Sequence, residues 1–331
     1  MRLSDMRPEL LSELCTGDAL WILRAGLFFA NDPPQNAELV KRPLYAELCE
    51  KAREQARDLL NVAPDVLRQN IEEILLLDGA PLGLQWMFDS DVLRHVLPEL
   101  HATVNFSQEA GRRHKDVWEH TKQVVWQAPA RPLLRWSALL HDIGKVKTRA
   151  YTSDGKVTFH RHSEVGARLF DDLARRFRFD RDSHRTLRFL ILHHLRPNAY
   201  LPSWTDSAVR RFAKEIGPLL PDLLDLSRAD ITSRRPGRRQ QGLCNIDELS
   251  SRVDQIVADD AVVPPLPSGI GDEIMQKFRL PPSRLIGDLK KELLAKIEEG
   301  VLERARESEY YMPTVEELLS MRNEPPSPCC E

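Results

Sequence analysis

Nowhere in the 331 residues does an apolar run reach the ~18 residues that a membrane-crossing helix needs. Nor does a basic start precede a short apolar block. Neither a membrane span nor a secretory leader is expected. Cysteine is scarce: Cys15, Cys49, Cys244, Cys329 and Cys330 form no regular framework and no CxxC zinc spacing. That excludes a disulfide scaffold and points to a reducing compartment, so the chain is expected to be cytoplasmic. Charge of one sign is also lacking. The formal net charge of −3 implies no bulk attraction to polyanions. The local exception is the cluster Arg234, Arg235, Arg238 and Arg239, which reads first as a solvated loop and second as a place to meet phosphate. No G-x-x-x-x-G-K-[ST] loop and no G-x-S-x-G elbow is present, which removes the kinase, ATPase and serine-hydrolase readings. No internal repeat is found.

What is present has helical periodicity. "LYAELCEKAREQARDLLNV" sets Leu44, Leu48, Ala52, Ala56 and Leu59 near an i, i+4, i+8 stripe. "APDVLRQNIEEILLL" opens on Pro64 and Asp65 and keeps Leu67, Ile71 and Leu75 on one side. "SAVRRFAKEIGPLLPDLLDLSRAD" reads as two helices broken at Gly217-Pro218, and Gly300 is a candidate C-cap for "RLIGDLKKELLAKIEEGVL". One strand-like piece, "KVTFHRH", follows an "SDG" turn. The expected fold class is all-α.

Chemistry is concentrated around "LLHDIGKVKTR", residues 139 to 149. Leu139 and Leu140 are core residues by type, so His141 and Asp142 stand at the edge of a buried helix, where a lone carboxylate is costly. An isolated His-Asp doublet is most often structural. Its company changes the reading, because most of the ten histidines fall between residues 114 and 194. All of these but His184 sit in "RRHKDVWEHT", "LLHDIGK", "FHRHSEVGA" and "LILHHLRP", and "LSRADITS" follows with an aspartate in a small, apolar setting. Imidazole nitrogen and carboxylate oxygen are the donors that divalent transition ions take. Adjacent residues project about 100° apart on a helix, yet at its last turn both can bend towards one ion. Gly144 is expected to permit a sharp exit, and Lys145 then arrives where an anion would sit. A carboxylate can bridge two ions and imidazole cannot, so Asp142 is the first residue to assign.

His120, His141-Asp142 and Asp230 resemble the H…HD…D signature of HD-domain phosphohydrolases. His162 and the His193-His194 pair resemble the added ligands of two-metal members. The resemblance implies one ion held by His120, His141, Asp142 and Asp230, and a second by Asp142, His162 and His194. "HLRP" favours His194 while leaving His193 open. The implied cofactor is one or two divalent transition ions (Mn, Ni, Co, Zn or Fe).

The four histidine segments are similar to the HD domain of bacterial tRNA nucleotidyltransferases (CCA-adding enzymes and poly(A) polymerase relatives). "GDALWILRAGLFFA" resembles the segment leading out of their catalytic head, and the helical neck and tail also find counterparts between residues 17 and 315. The expected organisation is a remnant helix and linker at 1–43, a neck at 44–108, the HD domain at 109–262, a helical tail at 263–318 and a disordered end at 319–331. The head, with its Gly-Ser turn and strand-borne D-x-D, is not found. Asp89-Ser90-Asp91 reads as a turn and N-cap feature. Where the family has a base-reading Glu and Arg, this chain has Gly17 and Trp21, so nucleotidyl transfer is not expected.

The leading functional expectation is a phosphohydrolase for 2′,3′-cyclic phosphates, 2′-nucleotides or phosphomonoesters, free or at RNA 3′ ends, working through metal-activated water. Asp142 and Lys145 are its candidate catalytic residues, and Lys145, Thr148, Arg149 and Arg196 its candidate phosphate contacts. His101, His114, His160 and His184 read as structural or surface residues, with His114 and His160 nearest to a substrate role. The competing readings are a non-catalytic tRNA- or RNA-binding module and a partner of a separate nucleotidyltransferase. Expected partners are a nucleotide or RNA 3′ end, with tRNA and a homodimeric second copy as further partners, and no membrane.

Overall fold

A computed structural model describes residues 18–31, 37–38, 40–41, 43–107, 116–153, 155–233, 235–262 and 264–323. It is all-α, as expected. Among the described residues the strands are two-residue pieces, β1 (Ala150–Tyr151) and β2 (Val157–Thr158), paired antiparallel. The strand read in "KVTFHRH" is therefore confined to its start. The chain turns at Arg161, with φ at 61°, so that a helix begins at His162.

Two compact units are distinguished: Met1–Ala199 with Pro221–Ile246, and Tyr200–Leu220 with Asp247–Glu331. In the first, helices α1 (Trp21–Asn31), α2 (Pro43–Gln55), α3 (Pro64–Leu76), α4 (Ala80–Asp89), α5 (Val92–Val96) and α6 (Pro98–His101) precede those that carry the histidines. These are α7 (Val117–Gln127), α8 (Pro132–Leu140), α9 (Lys145–Thr148), α10 (His162–Arg176) and α11 (Arg181–His193). After α12 (Asp206–Ile216) come α13 (Leu220–Asp230) and the long α14 (Pro236–Val262). The chain ends with α15 (Ile270–Phe278), α16 (Arg284–Glu298) and α17 (Ser308–Asn323).

Local chemistry sets these boundaries. Pro64 and Pro132 open α3 and α8, where a missing N–H costs nothing. Asp116 caps α7 by accepting from the Glu119 N–H at 3.1 Å, and Asp180 caps α11 through the N–H groups of Asp182 and Ser183. Of the arginine cluster expected in a loop, Arg235 precedes α14, Arg238 and Arg239 are exposed in its first turns, and Arg234 lies outside the described residues. Asp91 does occupy the N-cap position of α5, but its side chain makes no capping bond. Asp89 accepts from the Tyr45 hydroxyl at 2.7 Å, a structural use of that aspartate. Trp21 is also structural: it is 1% exposed, and its indole N–H donates to Gln55 Oε1 at 2.8 Å.

The helix that delivers the His-Asp doublet is the best anchored. In α8, Leu134, Trp136, Ala138, Leu139 and Leu140 are all buried, each large side chain worth roughly 1.5–3 kcal/mol in burial. Arg135 is buried as well, and it donates to the carbonyls of Ala128 at 2.6 Å and Leu75 at 2.9 Å. Trp136 donates to Glu72 at 3.0 Å. These bonds tie α8 to α3 and to the end of α7.

The second unit has its own core of Ile270, Ile274, Leu289, Leu293, Tyr311 and Val315. Asp260 accepts two hydrogen bonds from Arg210, at 2.7 and 3.1 Å, and pairs with Arg304. No helix among the described residues is long and apolar enough to cross a membrane.

Candidate metal centre

Six side chains from five elements meet at one place in the first unit. His120 lies one turn into α7, and His141 caps the C-terminus of α8 with Asp142 beside it. His162 begins α10, His194 caps α11, and Asp230 ends α13. His120, His141 and Asp230 offer ligand atoms within 4.8 Å of one another, and so do Asp142, His162 and His194.

One carboxylate joins the two sets. Asp142 Oδ2 lies 3.2 Å from His141 Nε2 and 3.4 Å from His120 Nε2. Its Oδ1 lies 3.5 Å from His162 Nε2 and 4.0 Å from His194 Nε2. Asp230 Oδ1 is 2.9 Å from His120 Nε2 and 3.5 Å from His141 Nε2.

The tautomers follow from the outer side of each ring. His141 Nδ1 faces the Ala138 carbonyl at 2.8 Å, His162 Nδ1 that of Phe159 at 2.9 Å, and His194 Nδ1 that of Ile191 at 2.8 Å. A carbonyl can only accept, so each Nδ1 carries the hydrogen. Each acceptor lies three residues before its histidine. For His141 and His194 it belongs to the last turn of a helix, where carbonyls lack partners. His120 Nδ1 instead meets Thr232 Oγ1 at 2.9 Å. Every Nε2 therefore points inwards, which is how backbone and hydroxyl partners orient metal-binding imidazoles.

The electrostatics set His141 apart from His162 and His194. Burial opposes a charge on His141, but Asp142 and Asp230 overcome it and raise its pKa to about 10. Both carboxyls are held well below the usual carboxylate range. Burial opposes this, and His141 with Lys145 at Asp142, and His120 with His141 at Asp230, outweigh it. Burial pushes His194 down to about 4, and the charge of His141 adds to it. Burial also lowers His162. Those two rings stay neutral near pH 7, so their Nε2 lone pairs face each other at 3.3 Å with no proton to place between them. Asp142 Oδ1, buried beside them, has no hydrogen-bond partner. Three electron-pair donors converging without a donor hydrogen fit a divalent cation.

The other sequence-derived residues separate. Lys145 donates to Asp142 Oδ2 at 2.6 Å, beneath the Phe159 ring. Thr148 Oγ1 donates to the Gly144 carbonyl at 3.0 Å. The Arg149 guanidinium lies 5.0 Å from the Phe106 ring centre and 5.1 Å from that of Tyr151, with Nε buried and without a hydrogen-bond partner. Arg196 is half-buried two residues beyond His194. His193 is not brought into the cluster; its ring packs on Phe189 at 4.4 Å. His160 is exposed, His184 is held by Asp171 at 2.7 Å, and His101 lies beside the Phe88 ring. His114 lies outside the described residues.

Gly144 serves a purpose other than the one expected. Its φ of −69° and ψ of −19° suit any residue. A Cβ there would stand 2.0 Å from the His162 carbonyl oxygen and 2.6 Å from the Gly166 nitrogen. The glycine is needed for the close approach of α10, which carries His162. Thr232 is the residue sequence reasoning passed over, although it lies two positions after Asp230 in the same "ADIT" stretch.

Comparison with known proteins agrees with this geometry. Residues 103–235 match the family model of the HD domain. The A-adding tRNA nucleotidyltransferase of Deinococcus radiodurans is 31% identical over 234 residues, 69% of this chain and 52% of that protein. The multifunctional CCA protein of Pseudomonas aeruginosa is 28% identical over 216 residues, 60% of this chain and 50% of its own length. The chain thus spans about half the length of the curated relatives it matches. Residues 103–235 thus carry an HD domain, the type of domain found in metal-dependent phosphohydrolases, and the chain is similar to tRNA nucleotidyltransferases over about half of their length.

Proposed function

We propose that this chain hydrolyses phosphoesters, as a 2′,3′-cyclic phosphodiesterase, 2′-nucleotidase or phosphomonoesterase acting on nucleotides or RNA ends. The observation that carries this reading is Asp142, whose two oxygens each face a different pair of inward-directed imidazoles. A set built only to fold would satisfy its buried carboxylate, yet Asp142 Oδ1 is left without a hydrogen bond.

His120, His141, Asp142 and Asp230 would hold one ion, and Asp142, His162 and His194 a second. When bound, such ions supply Lewis acidity that makes water a nucleophile near neutral pH and withdraws charge from phosphoryl oxygens. The chain's own residues fix everything else. The three backbone carbonyls and Thr232 lock the rings, so no reorganisation is needed as the ester enters. Lys145, on Asp142 Oδ2, is a cation beside the site that can stabilise negative charge on a phosphoryl oxygen. Arg149, whose guanidinium lies near the Phe106 and Tyr151 rings, is a second cation for a phosphate to meet.

The test is a hydrolysis screen of the protein loaded with manganese, nickel, cobalt, zinc or iron. Its substrates are 2′,3′-cyclic nucleotides, 2′-nucleotides and p-nitrophenyl phosphate. Release of product from at least one class is expected. Silence across all of them would overturn the proposal and favour an RNA-binding module.

A further inference from the structure

The arginine cluster noted in the sequence leads to a second feature of the first unit. An open groove of about 410 Å³ is lined by Trp126 and Gln127 of α7, Asp225 and Arg228 of α13, and Arg239 and Leu243 of α14. Trp126 is 56% exposed, whereas Trp21, Trp86, Trp118 and Trp136 are at most 1% exposed. An indole left in water beside cations is unusual, since burial would be worth kilocalories. The one lining carboxylate, Asp225, is already answered by Arg131 and by Arg228 at 3.0 Å. Among the described residues no carboxylate pairs with Arg239, and Arg235 and Arg238 are exposed on the same stretch of chain. The groove is thus cationic with one broad aromatic face and an apolar patch at Leu243.

It is also joined to the candidate metal centre. Gln127 Nε2 donates at 2.6 Å to the carbonyl of Ala229, the residue before Asp230. The wall of the groove and the support of a candidate ligand are one piece of backbone.

We propose that this groove binds a nucleotide of single-stranded RNA, its base stacked on Trp126 and its phosphates met by Arg239 and the neighbouring arginines. The proposal deepens the phosphoester reading, on which it rests for the choice of RNA as occupant. It specifies a polynucleotide end rather than a free mononucleotide as the preferred substrate. An acidic polypeptide would satisfy the charges but has no use for an exposed indole face, whereas every base has a π-face to place there.

The experiment measures binding of a fluorescein-labelled 12-nucleotide single-stranded RNA by anisotropy, with poly-glutamate of similar charge as control. Quenching of tryptophan emission is followed in parallel. The wild-type chain should bind the RNA more tightly than poly-glutamate, and the RNA should quench the emission of the exposed indole. Trp126→Ala should weaken RNA binding roughly tenfold, as loss of one stacked base does, and Trp126→Phe should recover most of it. Arg239→Ala should lower the slope of log affinity against log salt by about one. Thermal melting of each variant checks the fold. RNA affinity that is the same in Trp126→Ala and wild type, unquenched emission, or equal binding of poly-glutamate each overturns the proposal. Hydrolysis of 2′,3′-cyclic AMP by the wild type is scored separately. Hydrolysis without Trp126-dependent binding removes the groove and keeps the enzyme; Trp126-dependent binding without hydrolysis does the reverse.

Discussion

Adjacent histidines at 193 and 194 show what single residues decide. Both follow the apolar run of α11, and neighbours on a helix project about 100° apart, so only packing determines which turns inward. His194 does, at 1% exposure, and His193 covers Phe189. His194→Gln should therefore lose hydrolysis by orders of magnitude while His193→Gln stays near wild type, read as initial rates on a 2′,3′-cyclic nucleotide. Lys145→Ala should lower kcat on the order of 10²-fold, the effect of deleting one charge-stabilising contact. A change under threefold would mean that Lys145 serves only to balance Asp142. Thr232→Val removes the partner of His120 Nδ1, and metal affinity should fall about 10- to 100-fold by equilibrium dialysis, as loss of such an orienting bond does. The clustering of ligand-type residues was legible in sequence because their chemistry is carried by residue type. Thr232 and the carbonyls of Ala138, Phe159 and Ile191 were not, because backbone acceptors leave no mark on a sequence.

Helices hold these residues in place through a few specific contacts. The approach of α10 to Gly144 leaves no room for a methyl group against the His162 carbonyl. Gly144→Ala should cost about 1–3 kcal/mol by overpacking. It should also push His162 away from Asp142, seen as a lower melting temperature together with fewer metal ions bound per chain. Unchanged values for both would show that the loop yields without cost. In the second unit, Asp260 is partly buried, which opposes ionisation, but its bonds from Arg210 and the charge of Arg304 lower its pKa. A depressed carboxylate adds stability above its unfolded pKa of ~3.9 and loses it as pH falls through the folded value. Between pH 5 and pH 2.5, wild type should therefore lose more stability than Asp260→Asn, by about 1 kcal/mol for a partly exposed pair. Parallel curves would remove the linkage. Helix identity was readable from apolar spacing and from Pro64 and Gly217. The start of α14 was not, because the arginine-rich stretch with its glycine read as solvent-facing loop, whereas Arg238 and Arg239 lie in a helix whose later residues Ile246 and Leu249 are buried.

At the scale of the whole chain, the all-α fold brings positions 120 and 230 within 2.9 Å, a convergence that no local pattern specifies. Asp142 is the point on which this arrangement turns, since it alone faces both histidine pairs. The decisive measurement is hydrolysis of 2′,3′-cyclic AMP by wild type and Asp142→Ala, each loaded with manganese, nickel or cobalt and each confirmed folded by its melting curve. Turnover by wild type and a loss of several orders of magnitude in Asp142→Ala is the predicted result. Equal activity in the two proteins would contradict the account.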